Sequence, residues 1–543
     1  MKKRLTVTWA ILLIIAMTFT ACASKASDTS GNPEAADTAG TKSGSTKDRT
    51  DTAPPAANGK TQEISVMVWD RGNAAPNTTN EENTLTKWIQ DQVLKACNIK
   101  VNYVAVPRSG SDDKLNIMMA GGTAPDIVFT YDQNIYGNYA SKNGLADLTS
   151  AYADYGAAIN STIGNIQYMG QMDGKQYAIM KRRGVQVPRH ISYIRKDWLD
   201  KLGIGIPVTK EELFTSLRAF KEKNPGNVKN VIPWAMGGTT DTEKFYLNFI
   251  GSYVPELSER DAYIYSEAFK IFADGAVDGL KQMNRLYNEG LITKDFATDT
   301  TNDIYIQDVS AGNVGFLLDD STNIFAYIPV LQSNVPGAEF IPLNCFDTPQ
   351  GDYVNPTEPL YGMYIMVPST SAGKVDACMK YLNWLADPKN AENVAYTPDH
   401  KVSDEGVPIA LTEDELYAKG YPGTCADLNI VNDHFAFTDS KEAVVSQWAS
   451  SGTWETRDWF GSLYDVMYTG QYLYPTFPAI LESENTYLAN VTDLTIEYVY
   501  KLISCNPGEF DSLQKSEYDK IVKAGLNKIL EERAAYYDAN VAK

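Results

Sequence analysis

The chain has 543 residues, 43% of them hydrophobic, and a formal net charge of −20 from 68 acidic and 48 basic side chains. That length exceeds one ordinary domain and suits two or three, with apolar residues enough for large cores. The negative balance opposes a polyanion partner, because nucleic-acid binding rests on clustered Lys and Arg that release phosphate counterions; no nucleic acid is expected.

Met1-Lys2-Lys3-Arg4 is a basic start, and Val7 to Phe19 is a mostly apolar run too short for a comfortable membrane span. With Thr20-Ala21 following, residues 1–21 read as an export signal peptide. Cys22 directly after Phe19-Thr20-Ala21 resembles the bacterial lipobox, with Phe where Leu is usual. Cys22 is then the expected site of lipid attachment, anchoring the protein to the extracellular face of the cell membrane. Residues 22–61 hold almost nothing apolar larger than Ala, so they cannot bury enough surface to offset their chain entropy. They are expected to be a disordered tether, reaching on the order of 35 Å as a flexible coil.

The body begins with a strand, Ile64 to Trp69, ending at Asp70-Arg71-Gly72. An amphipathic helix over 82–97 presents Leu85, Trp88, Ile89 and Leu94, and a second strand follows from Ile99 to Val106. A helix near Asp112 to Ala120 closes at Gly121-Gly122, and a third strand spans Asp126 to Thr130. This alternation predicts a parallel open sheet with right-handed crossovers, whose ligands sit beyond the carboxyl ends of the strands. The rule singles out Trp69, Asp70 and Arg71 after the first strand, and Thr130 and Tyr131 after the third.

Tyr177 to Thr209 reads as the crossing between two α/β layers: an extended half carrying Val185, Val187, Ile191 and Tyr193, then a short helix stopped at Gly203. Thr209 and Glu212 have the spacing of a capping box that starts the next helix. Ile232-Pro233-Trp234 is extended, Thr242 to Tyr253 is expected to be helical, and 277–289 form a helix with Leu280, Met283 and Tyr287 inward and Gly290 as its stop. Asn313 to Leu318 is a buried strand ending in Asp319-Asp320, and Tyr361 to Val367 is another. A helix from Lys374 to Ala386 is halted by Pro388, and one long helix is expected from Lys515 to Tyr537.

Few residues carry a recognisable chemical signature. The three histidines, His190, His400 and His434, fall in no metalloprotease motif, and there is no Gly-x-Ser-x-Gly elbow, Walker loop or dinucleotide fingerprint. The six cysteines have neither CxxC nor zinc spacing, and without Cys22 an odd number remains, so at least one thiol is free. Asp299 to Asp308 lacks the central Gly and terminal Glu of a calcium loop. No metal, cofactor or catalytic residue is therefore assigned. Asp319-Asp320 is the most suggestive carboxylate pair, but sequence neighbours on an extended chain face opposite ways.

Ala120-Gly-Gly-Thr-Ala-Pro-Asp-Ile-Val128, Tyr193-Ile-Arg-Lys-Asp-Trp-Leu-Asp-Lys-Leu-Gly203, Asn284-Arg-Leu-Tyr-Asn-Glu-Gly-Leu-Ile292 and Tyr518-Asp-Lys-Ile-Val-Lys-Ala-Gly-Leu-Asn527 resemble segments of family 1 extracellular solute-binding proteins, in their long-chain subgroup. These are lipid-anchored substrate-binding components of carbohydrate ABC importers. The resemblance runs from about Ile64 to the C-terminus. It implies an α/β, two-lobed periplasmic-binding-protein-like fold (type II, a Venus flytrap) with hinge crossings and a mostly helical C-terminal extension. Lobe one would hold 62–186 plus 362–410, and lobe two 190–358. Residues 411–543 would pack on lobe two and the hinge.

A saccharide cleft needs planar polar side chains for hydroxyls and aromatic faces for C–H surfaces. Trp69, Asp70, Arg71, Tyr131, Arg189, Tyr193, Trp234, Asp319 and Tyr361 are the expected ligand-binding residues, with core packing the competing reading for each aromatic. Trp454, Trp459, Tyr464 and Tyr468 suit a cleft wall or a core equally. Lys181, Arg182, Arg183, Arg189 and Arg195 form a basic island whose default is a solvated or salt-bridged face. The sharper expectation is that Arg189, or another of them, holds the carboxylate of an acidic sugar. The expected function is capture of an oligosaccharide, neutral or acidic, by domain closure and its delivery to ABC permease subunits by a monomeric protein. A peptide receptor of the same fold and a membrane-anchored glycan-cleaving enzyme are the alternatives.

Overall fold

The computed structural model describes residues 60–182, 190–238, 248–321, 323–351, 356–357, 361–403, 406–432, 441–452, 454–468, 472–473 and 481–542. The chain divides into two units, Met1–Ala56 and Ala57–Lys543, and every described residue belongs to the second. The expected signal peptide, Cys22 and most of the tether therefore lie outside the described residues, as do Arg183, Arg189 and His434. Among the described residues no helix is long and apolar enough to cross a membrane.

Strand β1 (Gln62–Asp70) alternates into a fully buried stretch over Val66–Trp69. Helix α1 (Thr84–Cys97) starts at Asn83, whose side chain accepts from the backbone of Leu85 and Thr86 while the Thr86 hydroxyl accepts from the Asn83 backbone. That reciprocal capping, with Asn98 in the left-handed conformation at the other end, fixes both limits. Strand β2 (Ile99–Pro107), helix α2 (Ser111–Ala120) and strand β3 (Val128–Thr130) follow. Strand β4 (Ala178–Arg182) and strand β5 (His190–Arg195) flank the undescribed part of the crossing stretch.

Gly203 ends the next short helix at φ 65°, and Thr209 caps helix α3 (Lys210–Lys223) by accepting from the Glu212 backbone. The Glu212 carboxylate closes the box one residue early, on the Val208 backbone at 2.8 Å. Strand β6 (Ile232–Ala235), helix α4 (Ala276–Asn288), strand β7 (Val314–Asp320), strand β8 (Phe340–Leu343) and strand β9 (Tyr361–Met366) come next. In α4, Leu280, Met283 and Leu286 are buried while Tyr287 is half-buried. Of the expected 242–253 helix, the described part ends in a tight 3-10 turn, Ile250–Tyr253.

The helix expected from Lys374 begins one residue later: a 3-10 turn, Ser369–Lys374, leads into helix α5 (Val375–Ala386). Pro388 opens a further helix, Pro388–Tyr396, with Asp387 as its cap. Helix α6 (Glu482–Ser504) carries Val491, Tyr498, Val499, Leu502 and Ile503 inward. The single helix expected over 515–537 is two, α7 (Phe510–Ala524) and α8 (Leu526–Tyr536). Gly525 separates them at φ 124°, and a Cβ there would lie 2.4 Å from Cγ of Tyr487.

Two sheets organise these elements. β1 and β2 pair in parallel, as expected, and a parallel bridge joins Val66 to Ile127 just before β3. The sheet then turns antiparallel, because β9 lies between β3 and β4 and opposes both. The second sheet has the order β8-β5-β7-β6, in which only β6 and β7 are parallel.

The first sheet contributes to one core that also takes in α1, α5 and residues as late as Val431. The second sheet buries both faces. Ile194, Trp234, Phe316 and Leu318 face a core completed by α3, α4 and the helices α6 to α8. Ile191, Tyr193, Val314 and Leu317 face another completed by Trp459, Phe460, Leu463 and Met467. Each fully buried Leu, Ile, Val or Phe contributes about 1.5–3 kcal/mol. The C-terminal helices are thus integral to the second core.

Candidate functional site

Parallel pairing puts the carboxyl ends of β1 and β2 at one edge, with Trp69 opposite Val106 and Asp70 opposite Pro107. Arg108, the residue after β2, donates its backbone N–H to the Asp70 carbonyl at 2.8 Å. β3 ends at the same edge in Thr130-Tyr131. Because β9 runs antiparallel, with Tyr364 opposite Thr130, its first residue Tyr361 also lies there, opposite Arg182 across a bulge.

At this edge the Trp69 indole is nearly enclosed. Phe129 meets it edge-on at 5.1 Å, and Tyr131 stacks on it at 5.6 Å and 25°. The guanidinium of Arg108 lies 4.3 Å from its centroid and 5.7 Å from that of Tyr131; that of Arg71 lies 5.4 Å from the indole. Trp69 is 5% exposed and Tyr131 39%, so Tyr131 offers the accessible ring. Asp70 is exposed, and its Oδ1 accepts from Gly72 N at 2.8 Å and from Asn80 Nδ2 at 2.7 Å. Arg71 is held by Asp427, whose hydrogen bonds push the guanidinium further above its already high ordinary value.

The other expected site residues are placed by the second sheet. The carboxyl end of β7 meets the start of β5, with Asp320 opposite His190 and Asp319 opposite Ile191. Asp319 is buried and accepts from the Tyr305 hydroxyl at 2.8 Å and from Asn323 Nδ2 at 3.2 Å. Tyr193 is fully buried and donates to the Ser321 carbonyl at 2.6 Å; burial, with Asp320 and Asp319 adding to it, keeps this phenol far above its ordinary value. Trp234 is 0% exposed, its ring met edge-on by Phe249 at 5.2 Å and Phe316 at 5.1 Å. It gives its area to the core. The structure thus gathers Trp69, Asp70, Arg71, Tyr131 and Tyr361 at one edge, and Tyr193 and Asp319 at the other. Eight peptide steps separate Arg182 from His190, so the two edges lie within roughly 30 Å of each other.

Of the basic island, Lys181 is buried, and Arg195 is buried with a two-pronged contact to Asp197 at 2.7 and 3.0 Å. Trp459 donates to the Phe340 carbonyl inside the core, while Tyr464 and Tyr468 stack at 4.0 Å. The five described cysteines are all unpaired thiols. Among the described residues no group of three or more His, Cys, Asp or Glu side chains could hold a metal ion. A cavity of 620 Å³ lies along the outer edge of β6, against Lys221, Tyr287, Lys294 and Asp308, and none of the expected site residues lines it.

Two residues of the first edge escaped the sequence reading, Arg108 and Asp427. Arg108 could have been found by applying the strand-end rule to β2 as well as to β1 and β3. No local signal marks Asp427, which reaches the edge from a distant turn, Cys425–Leu428.

The model of the bacterial extracellular solute-binding proteins matches residues 75–392. The chain belongs to that family. It is 25% identical over 324 residues to lipoprotein LipO of Bacillus subtilis (strain 168), which covers 57% of this chain and 61% of LipO. It is 27% identical over 208 residues to the polygalacturonan/rhamnogalacturonan-binding protein YtcQ of the same organism, 38% of this chain and 41% of YtcQ. The matches therefore span less than two thirds of either relative. Among solved structures, the alginate-binding protein AlgQ2 without calcium ion superposes with a TM-score of 0.64 at 19% identity, covering 88% of this chain and 98% of AlgQ2.

The fold is accordingly that of the two-domain solute-binding proteins, mixed α/β with a helical C-terminal region. The family includes sugar- and oligosaccharide-binding proteins of ABC transporters, and YtcQ and AlgQ2 are by name binding proteins. In chemical terms, the first edge offers what such binding needs. A partly exposed ring, a carboxylate and two guanidinium groups converge on the ends of three neighbouring strands, beyond which ligands of such sheets sit.

Proposed function

We propose that this protein captures an oligosaccharide outside the cell and delivers it to an ABC import permease, held to the membrane through lipid on Cys22. The observation that carries the reading is the stacked pair Trp69 and Tyr131, set among Asp70, Arg71 and Arg108 at one edge of the first sheet. The exposed face of Tyr131 suits the C–H face of a sugar ring, and Asp70 and the guanidinium edges suit its hydroxyls. Tyr361 would extend the same wall. Tyr193 and Asp319, both buried, would brace the opposite wall from within, and Arg189 of the crossing stretch is proposed to contact ligand.

Binding would proceed by closure of two lobes, 62–186 plus 362–410 and 190–358, around the crossings, with no bond made or broken. Residues 411–431 would move with lobe one, whose core they join, and the later helices with lobe two and the hinge. The protein would act as a monomer. The names of LipO, a lipoprotein, and YtcQ, a polygalacturonan/rhamnogalacturonan-binding protein, support the anchor and the saccharide class respectively.

The test is a thermal-shift screen of the purified body against glycan and peptide panels, since a ligand of the folded state raises stability by mass action. Stabilisation by one or more oligosaccharides and by no peptide is the expected result. Stabilisation by peptides alone, or release of shortened glycans during incubation, would replace this reading with another. Incorporation of labelled fatty acid by the full-length chain, and its loss in Cys22→Ser, tests the anchor.

A further inference from the structure

In a chain with twenty more acidic than basic side chains, a guanidinium without a carboxylate is conspicuous. Arg108 is such a group. It makes no ion pair among the described residues, and its Nε is buried there without a hydrogen-bond partner. Arg71, a second cation of the same edge, is already committed to Asp427. The nearby carboxylates are also engaged elsewhere: Asp70 with Gly72 and Asn80, and Asp112 with the Thr130 hydroxyl at 2.7 Å. Neither turns to Arg108.

What does hold Arg108 is the Trp69 ring, 4.3 Å away, with Tyr131 beside both at 5.7 Å from the guanidinium. A guanidinium on an aromatic ring uses its flat face for that contact and keeps its in-plane N–H donors for a second partner. Contact with the two rings restrains the side chain, so less of its freedom is lost when a planar anion arrives. The fork geometry matches a carboxylate, which accepts two parallel hydrogen bonds. A hydroxyl group offers no such pair of oxygens.

We infer that Arg108 is an anion-recognising residue of the saccharide site, and that the ligand is an acidic oligosaccharide whose uronate carboxylate docks on the Arg108 guanidinium while a sugar ring lies on Tyr131. The inference rests on the saccharide reading above and narrows it to one chemical class. It also moves the expected carboxylate contact away from the basic island. Arg195 of that island is buried against Asp197, whereas Arg108 stands at the strand ends with Trp69 and Tyr131. Asp427 has a part in this arrangement, because by holding Arg71 it leaves Arg108 as the cation open to ligand.

The experiment is calorimetric titration of the wild-type protein with a panel of uronate oligosaccharides, including trigalacturonate, each paired with its carboxyl-reduced neutral counterpart. The same titrations are run on Arg108→Gln and Arg108→Lys, with melting curves establishing that each variant is folded. The acidic sugar should bind wild type about tenfold to a hundredfold more tightly than its neutral partner, as hydrogen bonds to a charged group imply. Arg108→Gln should bring the acidic sugar down to the affinity of its neutral partner in the same variant, and Arg108→Lys should restore only part of the difference.

Equal binding of acidic and neutral sugars by wild type overturns the inference and leaves the saccharide reading standing. So does a preference that survives in Arg108→Gln. Binding of no saccharide of either kind removes the saccharide reading itself, and the inference with it. The wild-type comparison alone decides the ligand class if both variants melt.

Discussion

The guanidinium of Arg71 and the carboxylate of Asp427 meet through two hydrogen bonds, Nε to Oδ2 at 2.5 Å and Nη2 to Oδ1 at 3.1 Å, across 356 residues of chain. The pair ties the end of β1 to a turn far along the sequence. It is partly exposed, 38% for the arginine side chain and 13% for the aspartate, so its stabilising contribution is at most about 1 kcal/mol. Asp427→Asn should therefore lower the melting temperature by no more than about 3 °C. Saccharide affinity should fall severalfold, because Arg71 is no longer held near Trp69. A large melting shift with unchanged affinity would give the pair a purely structural role.

Trp69 and Tyr131 stack on each other but differ in burial, and their variants should separate accordingly. Trp69→Ala empties an enclosed site and should cost about 3–5 kcal/mol of stability. Tyr131→Ala removes a ring that solvent already reaches, so its stability should change by about 1 kcal/mol or less. Its loss of saccharide affinity should nonetheless be tenfold or more. Denaturant unfolding and calorimetric titration of the two variants check both halves.

Asp126 joins three segments. Its carboxylate accepts from Ser65 N at 2.8 Å, Ser65 Oγ at 3.0 Å, Ser371 Oγ at 2.6 Å and Lys374 Nζ at 2.8 Å. Burial pushes its pKa up, but the hydrogen bonds from Lys374, Ser371 and Ser65 outweigh that and hold it below the ordinary value. A folded pKa below the unfolded one means stability that is fully present above about pH 4 and is lost as the pH falls through the folded value. Asp126→Asn should thus cost about 1–3 kcal/mol at pH 7 and progressively less below pH 4. Urea unfolding at pH 7, 5 and 3 checks the sign; a penalty that grows on acidification would contradict it.

Arg533 is 2% exposed and lies 2.6 Å from Glu484, with Ser266 Oγ at 2.9 Å and the Phe269 ring at 4.4 Å. Removing one partner leaves the other charge buried alone. Arg533→Met should therefore destabilise the protein by about 3–5 kcal/mol, and the double variant Arg533→Met with Glu484→Leu should recover most of that loss. Equal stability of the single and double variants in denaturant titrations would mean that Glu484 finds solvent without Arg533.

The strands and helices between residues 62 and 130 were legible because their signals are local: alternation in β1, an apolar stripe in α1, glycines after α2. The strand-end rule then led to Trp69, Asp70, Arg71 and Tyr131, which the structure brings to one edge. It could not foresee that Trp234, also near a strand end, is closed over by Phe249 and Phe316, since an enclosed ring and an open one look alike in sequence. The break at Gly525 was hidden for a similar reason. The apolar pattern continues through it, and the constraint comes from Tyr487 on another helix. Asp427 belongs to the same class of partner, set by the tertiary fold rather than by its neighbours.

The two large cores are each assembled from chain segments far apart in synthesis. The first joins Ile64 through Met180 to Met363 through Val431, and the second joins Ile194 through Phe346 to Val491 through Ile529. Neither can close around the early segment until the late one has left the ribosome. Such non-local pairing carries a large loop-closure cost and folds slowly. Through most of its elongation the nascent chain holds its second sheet with both apolar faces only partly covered, a state that favours handling by chaperones over early collapse. Loss of the last helices would make that transient state permanent.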